Sequence, residues 1–509
     1  MSSRIVDAAD AMVSGSSDLV VLDGVGFGVA DVVRLADGDA RPVPGTDAMK
    51  RATESWDAAR QIAATGRVYG RSTGVGANRN EDVPTEAAAE HGLRLLRSHA
   101  GAIGDELPAR EVRAMLAVRA NQLLAGGAGL RPTVVTALCE ALESGVHPVV
   151  NEFGSVGTGD IAALAQVGLA LAGERPWRDA GNGLSGVPEP QPLDNNDALA
   201  LISSNALTLG QAALALHELR GLIGATQVVG ALSLLAVDGS HEPFAAPVHA
   251  ARPHRGSTEV ARRMRELIGA ADRPTPPLGR IQDPYGFRCL PQIHGPAHDA
   301  ADALEEVLAI EINAAAENPF ISAEDMTAYH HGGFYQAQLA LALDHFRLAL
   351  TQVARLSTSR LSSLNEPAFT RLKPFLADSE PASSGVMILE YAAAAALGDL
   401  RAFSAPASLG HAVLSRGVEE QASFASLAAR QTLRASRAYR LVVGCELVAA
   451  VRALRQRDLR PDPELPVGRA LELAESVLDD DPADRPLTDD VTAAAGLLDR
   501  FTEIWRGNT

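Results

Sequence analysis

The segment Glu152-Phe-Gly-Ser-Val-Gly-Thr-Gly-Asp160, followed directly by the apolar run Ile161–Ala172, is the stretch of sequence that decides the fold. Its glycines argue against regular helix before Asp160. The twelve residues that follow are too few to cross a bilayer, so they predict a buried core helix. We expect Thr158 and Gly159 to begin this helix and to leave N–H groups free for an anion or an oxyanion.

The composition favours helices and argues against several functions. Of 509 residues, 46% are hydrophobic and only 4% aromatic, and alanine and leucine dominate. A formal net charge of −18 argues against nucleic acid as a partner. Cys139, Cys289 and Cys445 lack CxxC spacing, so they predict neither a metal site nor a disulfide framework and fit a reducing cytoplasm. No signal peptide and no membrane segment are predicted.

Long segments with helical apolar periodicity dominate the chain after residue 195. Several exceed the usual length of globular helices, which predicts a bundle of long helices with much surface buried between subunits. We divide the sequence into an N-terminal mainly helical domain (1–195), a central long-helix bundle (196–455) and a C-terminal segment of shorter helices (456–509). The predicted long segments are 196–238, 257–269, 295–317, 333–363, 383–400 and 419–455.

Five separated segments, in matching order, resemble the histidine/phenylalanine ammonia-lyase family, and together they cover nearly the whole chain. The opening segment is similar to the family's Gly-Ser-Val-Gly-Ala-Ser-Gly-Asp-Leu-Ala-Pro-Leu-Ala. The segment Gln282-Asp-Pro-Tyr-Gly-Phe-Arg-Cys-Leu-Pro-Gln292 resembles the family's Gln-Asp-Pro-Tyr-Ser-Leu-Arg-Cys-x-Pro-Gln. The resemblance implies an all-α fold, a bundle of long parallel and antiparallel helices of the fumarase/aspartase-like type. It also implies an obligate homotetramer whose subunits share active sites.

One departure concerns the family's electrophilic prosthetic group, methylidene-imidazolone (MIO). The family makes MIO from Ala-Ser-Gly, whereas this chain has only Thr158-Gly159 before Asp160, so the serine is missing. Ser203, Phe334 and Gly417-Val418 replace two asparagines and an Asn-Gln pair of the family. Such coordinated change favours loss of the group, and we expect no cofactor. The remaining route to an electrophile is cyclisation of Gly157-Thr158-Gly159, with threonine as the dehydrating residue.

The resemblance assigns catalysis to Tyr69, Tyr285 and Glu419. Tyr69 opens Tyr69-Gly-Arg-Ser-Thr-Gly-Val-Gly76, which matches the family's Tyr-Gly-Val-Thr-Thr-Gly-Phe-Gly and is too rich in glycine for a helix. In the family this loop is a mobile lid, and its tyrosine is the acid/base. Glu419 falls where the family places a carboxylate near the amino group, and Tyr285 lines the same pocket. The alternative for Tyr69 is an ordinary tyrosine in a turn.

Five residues are predicted to bind the substrate. By the resemblance, Arg288 grips its carboxylate as a planar fork, unless it forms a structural ion pair instead, and Gln282 lines the same pocket. His99 matches the position at which histidine and tyrosine lyases carry histidine, and is expected to bind a polar ring unless its own helix backbone satisfies it.

The other two predicted substrate-binding residues stand at positions that contact MIO in the family. Ser203 replaces the asparagine that binds the MIO carbonyl, and Asn205 could compensate only through a local shift of the chain. Tyr335 replaces the phenylalanine that shields MIO.

Three functions follow, in this order. The first is an MIO-independent lyase, or an addition or isomerisation catalyst, that acts on a small carboxylate-bearing substrate resembling an aromatic amino acid. The second is a histidine- or tyrosine-type ammonia-lyase whose electrophile forms from Gly157-Thr158-Gly159. The third is a non-catalytic scaffold that binds a ligand or a partner subunit, because a fold does not settle a function.

Overall fold

The computed structural model describes residues 18–179, 185–275 and 279–507, so residues 1–17, where no signal peptide is predicted, lie outside the described part. The fold is mostly helical, and the all-α prediction is confirmed. The α-helices are Val29–Asp37, Thr46–Thr65, Ala88–His99, Ala109–Leu124, Thr133–Ser144, Ile161–Leu171, Ala198–Ile202, Ala206–Ala236, Ala246–Ala250, Arg255–Ile268, Tyr285–Arg288, Leu290–Glu311, Ala337–Leu364, Pro367–Thr370, Ile388–Phe403, Ala425–Gln456, Pro466–Glu475 and Thr488–Arg506.

The strands are short and occur in pairs. Leu19–Leu22 pairs in parallel with Arg41–Pro44. The other pairs are antiparallel, and they are Ile103–Glu106 with Asn151–Phe153, His147–Pro148 with Trp177–Arg178, and Phe320–Ser322 with Thr327–Tyr329.

Contacts group the chain into two compact units. The first unit comprises Met1–His217, Leu304–Leu343 and Pro406–Arg430, and the second comprises Glu218–Ala303, Asp344–Ala405 and Gln431–Thr509. The division at residues 195 and 455 follows sequence order and stays a prediction.

In the first unit, the predicted core helix after Asp160 is confirmed as Ile161–Leu171. It packs against the helices Ala88–His99 and Ala198–Ile202, and all its residues from Ala163 onward are buried. Gly168 makes this packing close, because a Cβ atom there would meet Leu96 Cδ2 at 3.0 Å and Leu201 Cδ2 at 3.1 Å. The core helix therefore fixes the position of the glycine-rich segment that precedes it.

In the second unit, a buried ion pair joins Arg360 to Glu446, and both side chains are fully buried. Arg360 donates from Nε and Nη2 to the two carboxylate oxygens at 2.6 and 2.8 Å, and the hydroxyls of Ser233 and Ser357 donate to the same oxygens. Two buried charges are tolerated together when hydrogen bonds satisfy them in this way.

The long apolar segments form helices close to the predicted bounds, with one break. The predicted segment 196–238 consists of Ala198–Ile202 and Ala206–Ala236, separated at Ser203–Asn205. The stretch Ala198–Ala236 is the one described segment that is long and apolar enough to cross a membrane, and 94% of its most apolar window is buried inside the protein. A buried core helix passes the same test of length and composition, so this segment is weak evidence for a membrane span.

Candidate active site

The first unit contains a cavity of about 440 Å³ beside the glycine-rich segment 152–160. It is formed by the loop after Val68, the turn before Asp160, the break before the helix Ala206–Ala236, and the loops around residues 318, 330 and 418. The described lining residues are Tyr69, Gly76, Arg79, Thr158, Gly159, Ile161, Leu199, Ser203, Ser204, Asn318, His330, Phe334, Val418 and Glu419. Tyr69, Glu419 and Ser203, three of the predicted site residues, thus meet in one cavity.

Tyr69 lies on a loop, as predicted, and its phenol oxygen accepts a hydrogen bond from the Gly76 N–H at 2.8 Å. Gly70 follows it with φ +70, and a Cβ atom there would lie 2.0 Å from Leu199 Cδ2, so only glycine fits. Burial raises the pKa of Tyr69, the Gly76 hydrogen bond opposes this, Glu419 raises the pKa further, and Arg79 lowers it.

Arg71 anchors the Tyr69 loop. Its buried guanidinium donates to the carbonyl oxygens of Gly129 at 3.2 Å, Asn196 at 2.6 Å and Ala128 at 2.7 Å. The start of the loop is therefore fixed to the body of the unit, while Arg79 at its other end is exposed.

The turn before the core helix is held by hydrogen bonds on three sides. The Gly159 N–H donates to Asn205 Oδ1 at 3.2 Å, and the Ser423 hydroxyl donates to the Gly157 carbonyl oxygen at 2.9 Å. The Thr158 hydroxyl lies 3.4 Å from Glu419 Oε2. Both glycines have positive φ, +87 at Gly157 and +112 at Gly159, which a residue with a side chain rarely adopts.

Asp160 ends this turn and is fully buried. Its N–H donates to the Ser204 carbonyl oxygen at 2.7 Å, and its carboxylate accepts from the N–H and the hydroxyl of Thr208 at 2.8 and 2.9 Å. Burial raises the pKa of Asp160, and these hydrogen bonds lower it. The aspartate thus ties the turn to the start of the helix Ala206–Ala236.

The expectation that Thr158 and Gly159 begin the core helix is wrong, because the helix begins at Ile161. The Gly159 N–H is not free for an anion, because Asn205 occupies it. Asn205 reaches the turn directly, whereas Ser203 Oγ accepts a hydrogen bond from the Asn318 N–H at 3.0 Å. Asn205 also donates to the Phe334 carbonyl oxygen at 2.8 Å, so it links two walls of the cavity.

His99 and Tyr335 are not among the described lining residues of the cavity. His99 Nδ1 lies 2.8 Å from the Leu95 carbonyl oxygen and 3.0 Å from Ser98 Oγ, so its own helix satisfies that nitrogen. Phe334, rather than Tyr335, lines the cavity. Roles of His99 and Tyr335 in substrate binding stay predictions.

Gln282, Tyr285 and Arg288 belong to the second unit. Tyr285 is exposed, and the Arg288 guanidinium lies 5.0 Å from the centre of its ring. Arg288 Nε donates to the Asp283 carbonyl oxygen at 2.9 Å, and Arg288 forms no ion pair with any described residue. The alternative role, a structural ion pair of Arg288, is therefore not found among the described residues. Binding of the substrate carboxylate by Arg288 stays a prediction.

Four polar residues of the cavity are not among the predicted site residues: Arg79, Ser204, Asn318 and His330. His330 meets the Tyr69 ring edge-on, with ring centres 6.4 Å apart and an interplanar angle of 84°. His330 precedes His331-Gly332-Gly333 in a loop far from Tyr69 in sequence, so only the tertiary fold brings the two rings together.

A family model described as aromatic amino acid lyase matches residues 27–476. The chain belongs to this family. The histidine ammonia-lyase of Geobacillus kaustophilus is 34% identical over 453 residues, covering 86% of this chain and 89% of the relative. The histidine ammonia-lyase of Geobacillus thermodenitrificans is 33% identical over 496 residues, covering 94% of this chain and 97% of the relative. The protein is accordingly a lyase, and the non-catalytic scaffold loses its support.

Solved structures of the family share the fold over nearly the full chain. The ergothionase of Treponema denticola has a TM-score of 0.89 at 26% identity, covering 96% of this chain and 99% of its own. The tyrosine aminomutase of Streptomyces globisporus has a TM-score of 0.88 at 26% identity, with coverages of 96% and 98%. The histidine ammonia-lyase of Trypanosoma cruzi has a TM-score of 0.86 at 28% identity, with coverages of 96% and 94%.

Family membership overturns the expectation of a site without a cofactor. The histidine and tyrosine enzymes of this family carry MIO, so the prediction that no prosthetic group forms is wrong. The residues present fit a related group at Gly157-Thr158-Gly159. Hydrogen bonds reach the Gly157 carbonyl, the Gly159 N–H and the Thr158 hydroxyl, which are the three groups that such a cyclisation uses.

Proposed function

We propose that the protein is an ammonia-lyase for an α-amino acid with a polar aromatic ring, of the histidine or tyrosine type, and that its electrophile derives from Gly157-Thr158-Gly159. The observation that carries the proposal is the hydrogen bond from the Gly159 N–H to Asn205 Oδ1, in a turn whose threonine faces the cavity. The names of the relatives, histidine ammonia-lyase and tyrosine aminomutase, support the substrate class.

Formation of the group would join the Gly159 nitrogen to the Gly157 carbonyl carbon and release two waters. The first water consists of the Gly157 carbonyl oxygen and the amide hydrogens of Thr158 and Gly159. The second consists of the Thr158 hydroxyl and the α-hydrogen of Thr158. Ser423 polarises the carbonyl, Asn205 holds the N–H, and Glu419 is the carboxylate beside the departing hydroxyl. When formed, the group supplies an electrophile that makes the substrate's ammonium a better leaving group.

Tyr69 is the proposed base for the β-proton of the substrate, because its phenol oxygen lines the same cavity as Thr158. The Gly76 N–H holds the phenol oxygen in place and stabilises its negative charge after deprotonation. We propose that Glu419 binds the substrate's amino group or takes up its proton. By the family resemblance, we further propose that Arg288, with Gln282 and Tyr285, binds the carboxylate. We also propose that the protein is a homotetramer in the cytoplasm whose subunits share substrate sites, and the long apolar helices support this assembly.

Intact-mass measurement of the purified protein tests the electrophile. The expected mass is that of the sequence less two water molecules, together with a near-ultraviolet absorbance band. The variant Thr158→Ala has no hydroxyl to lose and should lack both the band and the second water. An unmodified mass for the wild type overturns this part of the proposal.

Turnover is tested with L-histidine, L-tyrosine and L-phenylalanine, by following ammonia, the unsaturated acid and any β-amino acid. Release of ammonia from the polar-ring substrates supports the proposed class. Turnover of L-phenylalanine alone would contradict it, and a monomer in sedimentation would contradict the shared site.

A further inference from the structure

His330 is the residue of the cavity whose hydrogen-bonding capacity is not used by the protein itself. Among the described residues, neither of its ring nitrogens has a hydrogen-bond partner, and its ring contact is the edge-on approach to Tyr69. An imidazole carries one donor and one acceptor, so a bound molecule could use either.

Four other polar groups that line the cavity already take part in hydrogen bonds within the protein. The Ser204 hydroxyl donates to Gln122 Oε1 at 2.6 Å, and Asn318 Oδ1 accepts from the His331 N–H at 3.0 Å. Ser203 Oγ accepts from the Asn318 N–H, and the Thr158 hydroxyl points to Glu419. A substrate hydrogen bond that uses the engaged donor or acceptor of one of these groups would compete with a protein contact, whereas His330 offers a donor and an acceptor without such competition.

The position of His330 also fits the geometry of an aromatic amino acid. In such a substrate the ring is bonded directly to the β-carbon, and the β-carbon is the atom from which Tyr69 would take the proton. A side chain that touches the Tyr69 ring is therefore beside the path of the substrate's ring. His99, the residue that the sequence predicted for this task, is satisfied at Nδ1 by Leu95 and does not belong to the described lining.

We infer that His330, and not His99, is the residue that selects the ring of the substrate, by a hydrogen bond to an imidazole nitrogen or a phenol hydroxyl. The inference rests on the proposed function, since it takes Tyr69 as the base. It narrows the substrate class to aromatic amino acids whose ring carries a hydrogen-bonding atom. An unpaired donor or acceptor opposite a plain phenyl ring would make L-phenylalanine the poorer substrate.

The test compares kcat/KM for L-histidine, L-tyrosine and L-phenylalanine in the wild type and in His330→Leu. We expect the preference for the better polar-ring substrate over L-phenylalanine to fall at least about tenfold in His330→Leu, the loss typical of one hydrogen bond to substrate. His330→Asn keeps a donor and an acceptor and should recover part of the preference. His99→Leu tests the competing assignment and should change the ratio less than about twofold.

The measured quantity is the ratio of kcat/KM for a polar-ring substrate to kcat/KM for L-phenylalanine. If the substitution disturbs the nearby Tyr69, all three rates fall together, and this effect cancels in the ratio. An equal fall for all three substrates, or a change of ratio in His99→Leu instead, overturns the assignment.

A binding measurement separates this inference from the proposed function. In Tyr69→Phe, which holds the substrate without turning it over, dissociation constants for L-histidine, L-tyrosine and L-phenylalanine are measured with and without His330→Leu. If Tyr69→Phe retains full activity, the proposed base is wrong, whereas an unchanged preference in binding after His330→Leu refutes the role of His330 alone. If none of the three amino acids binds, both the proposed substrate class and the role of His330 are refuted.

Discussion

The side-chain oxygen of Asn205 lies 3.2 Å from the nitrogen of Gly159 and accepts its hydrogen bond, across 46 residues of sequence. This bond holds the one nitrogen that ring closure at Gly157-Thr158-Gly159 would use. The second amide hydrogen bond of Asn205, to the Phe334 carbonyl oxygen, fixes the orientation of its side chain. Asn205, rather than Ser203, is therefore the residue of this break that contacts the turn.

Replacing Asn205 by leucine should prevent formation of the electrophile. The leucine side chain has similar bulk but no acceptor for the Gly159 N–H, so the turn loses the contact that orients its nitrogen. Intact mass of Asn205→Leu should equal that of the unmodified sequence. Ser204→Ala, the neighbouring control whose hydroxyl bonds Gln122 rather than the turn, should still lose two waters. Water loss in Asn205→Leu equal to that of the wild type would show that the contact is incidental.

Removing the Tyr69 hydroxyl should abolish most of the activity. A positioned general base contributes about 10²–10⁴-fold, so kcat of Tyr69→Phe should fall by at least about a hundredfold. Tyr329→Phe is the control, because Tyr329 is an exposed tyrosine whose hydroxyl donates to Asp325. A similar loss in both variants would point to a general defect rather than to a base.

The pH dependence of activity should follow the raised pKa of Tyr69. Burial favours the neutral phenol, so below this pKa only a small fraction of the enzyme holds the active phenolate, and the fraction grows about tenfold for each pH unit. kcat/KM measured at increasing pH should therefore rise from neutral into alkaline solution. A profile that is flat over this range would argue against a phenolate base.

Breaking the buried ion pair between Arg119 and Glu317 should destabilise the first unit. Arg119 Nη1 lies 2.7 Å from Glu317 Oε1, both side chains are almost fully buried, and Arg119 also donates to the carbonyl oxygens of Ala200 and Leu201. Arg119→Met leaves a buried carboxylate and two carbonyls without partners, at a cost of about 3–5 kcal/mol in the free energy of unfolding. Arg97→Met, which removes an exposed pair with Glu174, should leave the unfolding midpoint unchanged.

Acid should destabilise the second unit through His298. Burial lowers the pKa of His298 from 6.5 to about 4, so the folded protein keeps it neutral while the unfolded chain takes up a proton. This contribution is fully present above pH 6.5 and is lost as the pH falls towards 4, by up to about 3 kcal/mol. The thermal midpoint of His298→Asn should fall less over this range than that of the wild type. His254→Asn, at an exposed histidine, should follow the wild type.

Local sequence patterns were sufficient for the helices but not for the break at Ser203–Asn205. The apolar periodicity of residues 196–238 continues through these three residues, so a single helix was predicted. In the structure their side chains bond to Asn318, Gln122 and Gly159, which are all distant in sequence. Tertiary hydrogen bonds of this kind outweigh helix propensity, and a single sequence does not reveal them.

The sequence predicted the site residues that lie in matched motifs, but not those that only the contact between two loops brings to the cavity. Tyr69 and Glu419 line one cavity, as the matched motifs indicated. Arg79 lies at the other end of the Tyr69 loop, beyond its matched motif. His330 lies in a different loop, and only the fold brings it beside Tyr69. His99 Nδ1 lies 2.8 Å from the Leu95 carbonyl oxygen of its own helix, and a role of His99 in substrate binding stays a prediction.

The hydrogen bonds of Asp160 decide on which side the turn at residues 157–159 could accept an inserted residue. Its backbone is held by Ser204 and its carboxylate by Thr208, so the downstream end of the turn cannot shift without opening the start of the helix Ala206–Ala236. An engineered insertion that restores Ala-Ser-Gly in place of Thr158-Gly159 would therefore displace the chain upstream, at Ser155–Gly157. The extra residue would be accommodated against Ser423, and that contact is the one to redesign first.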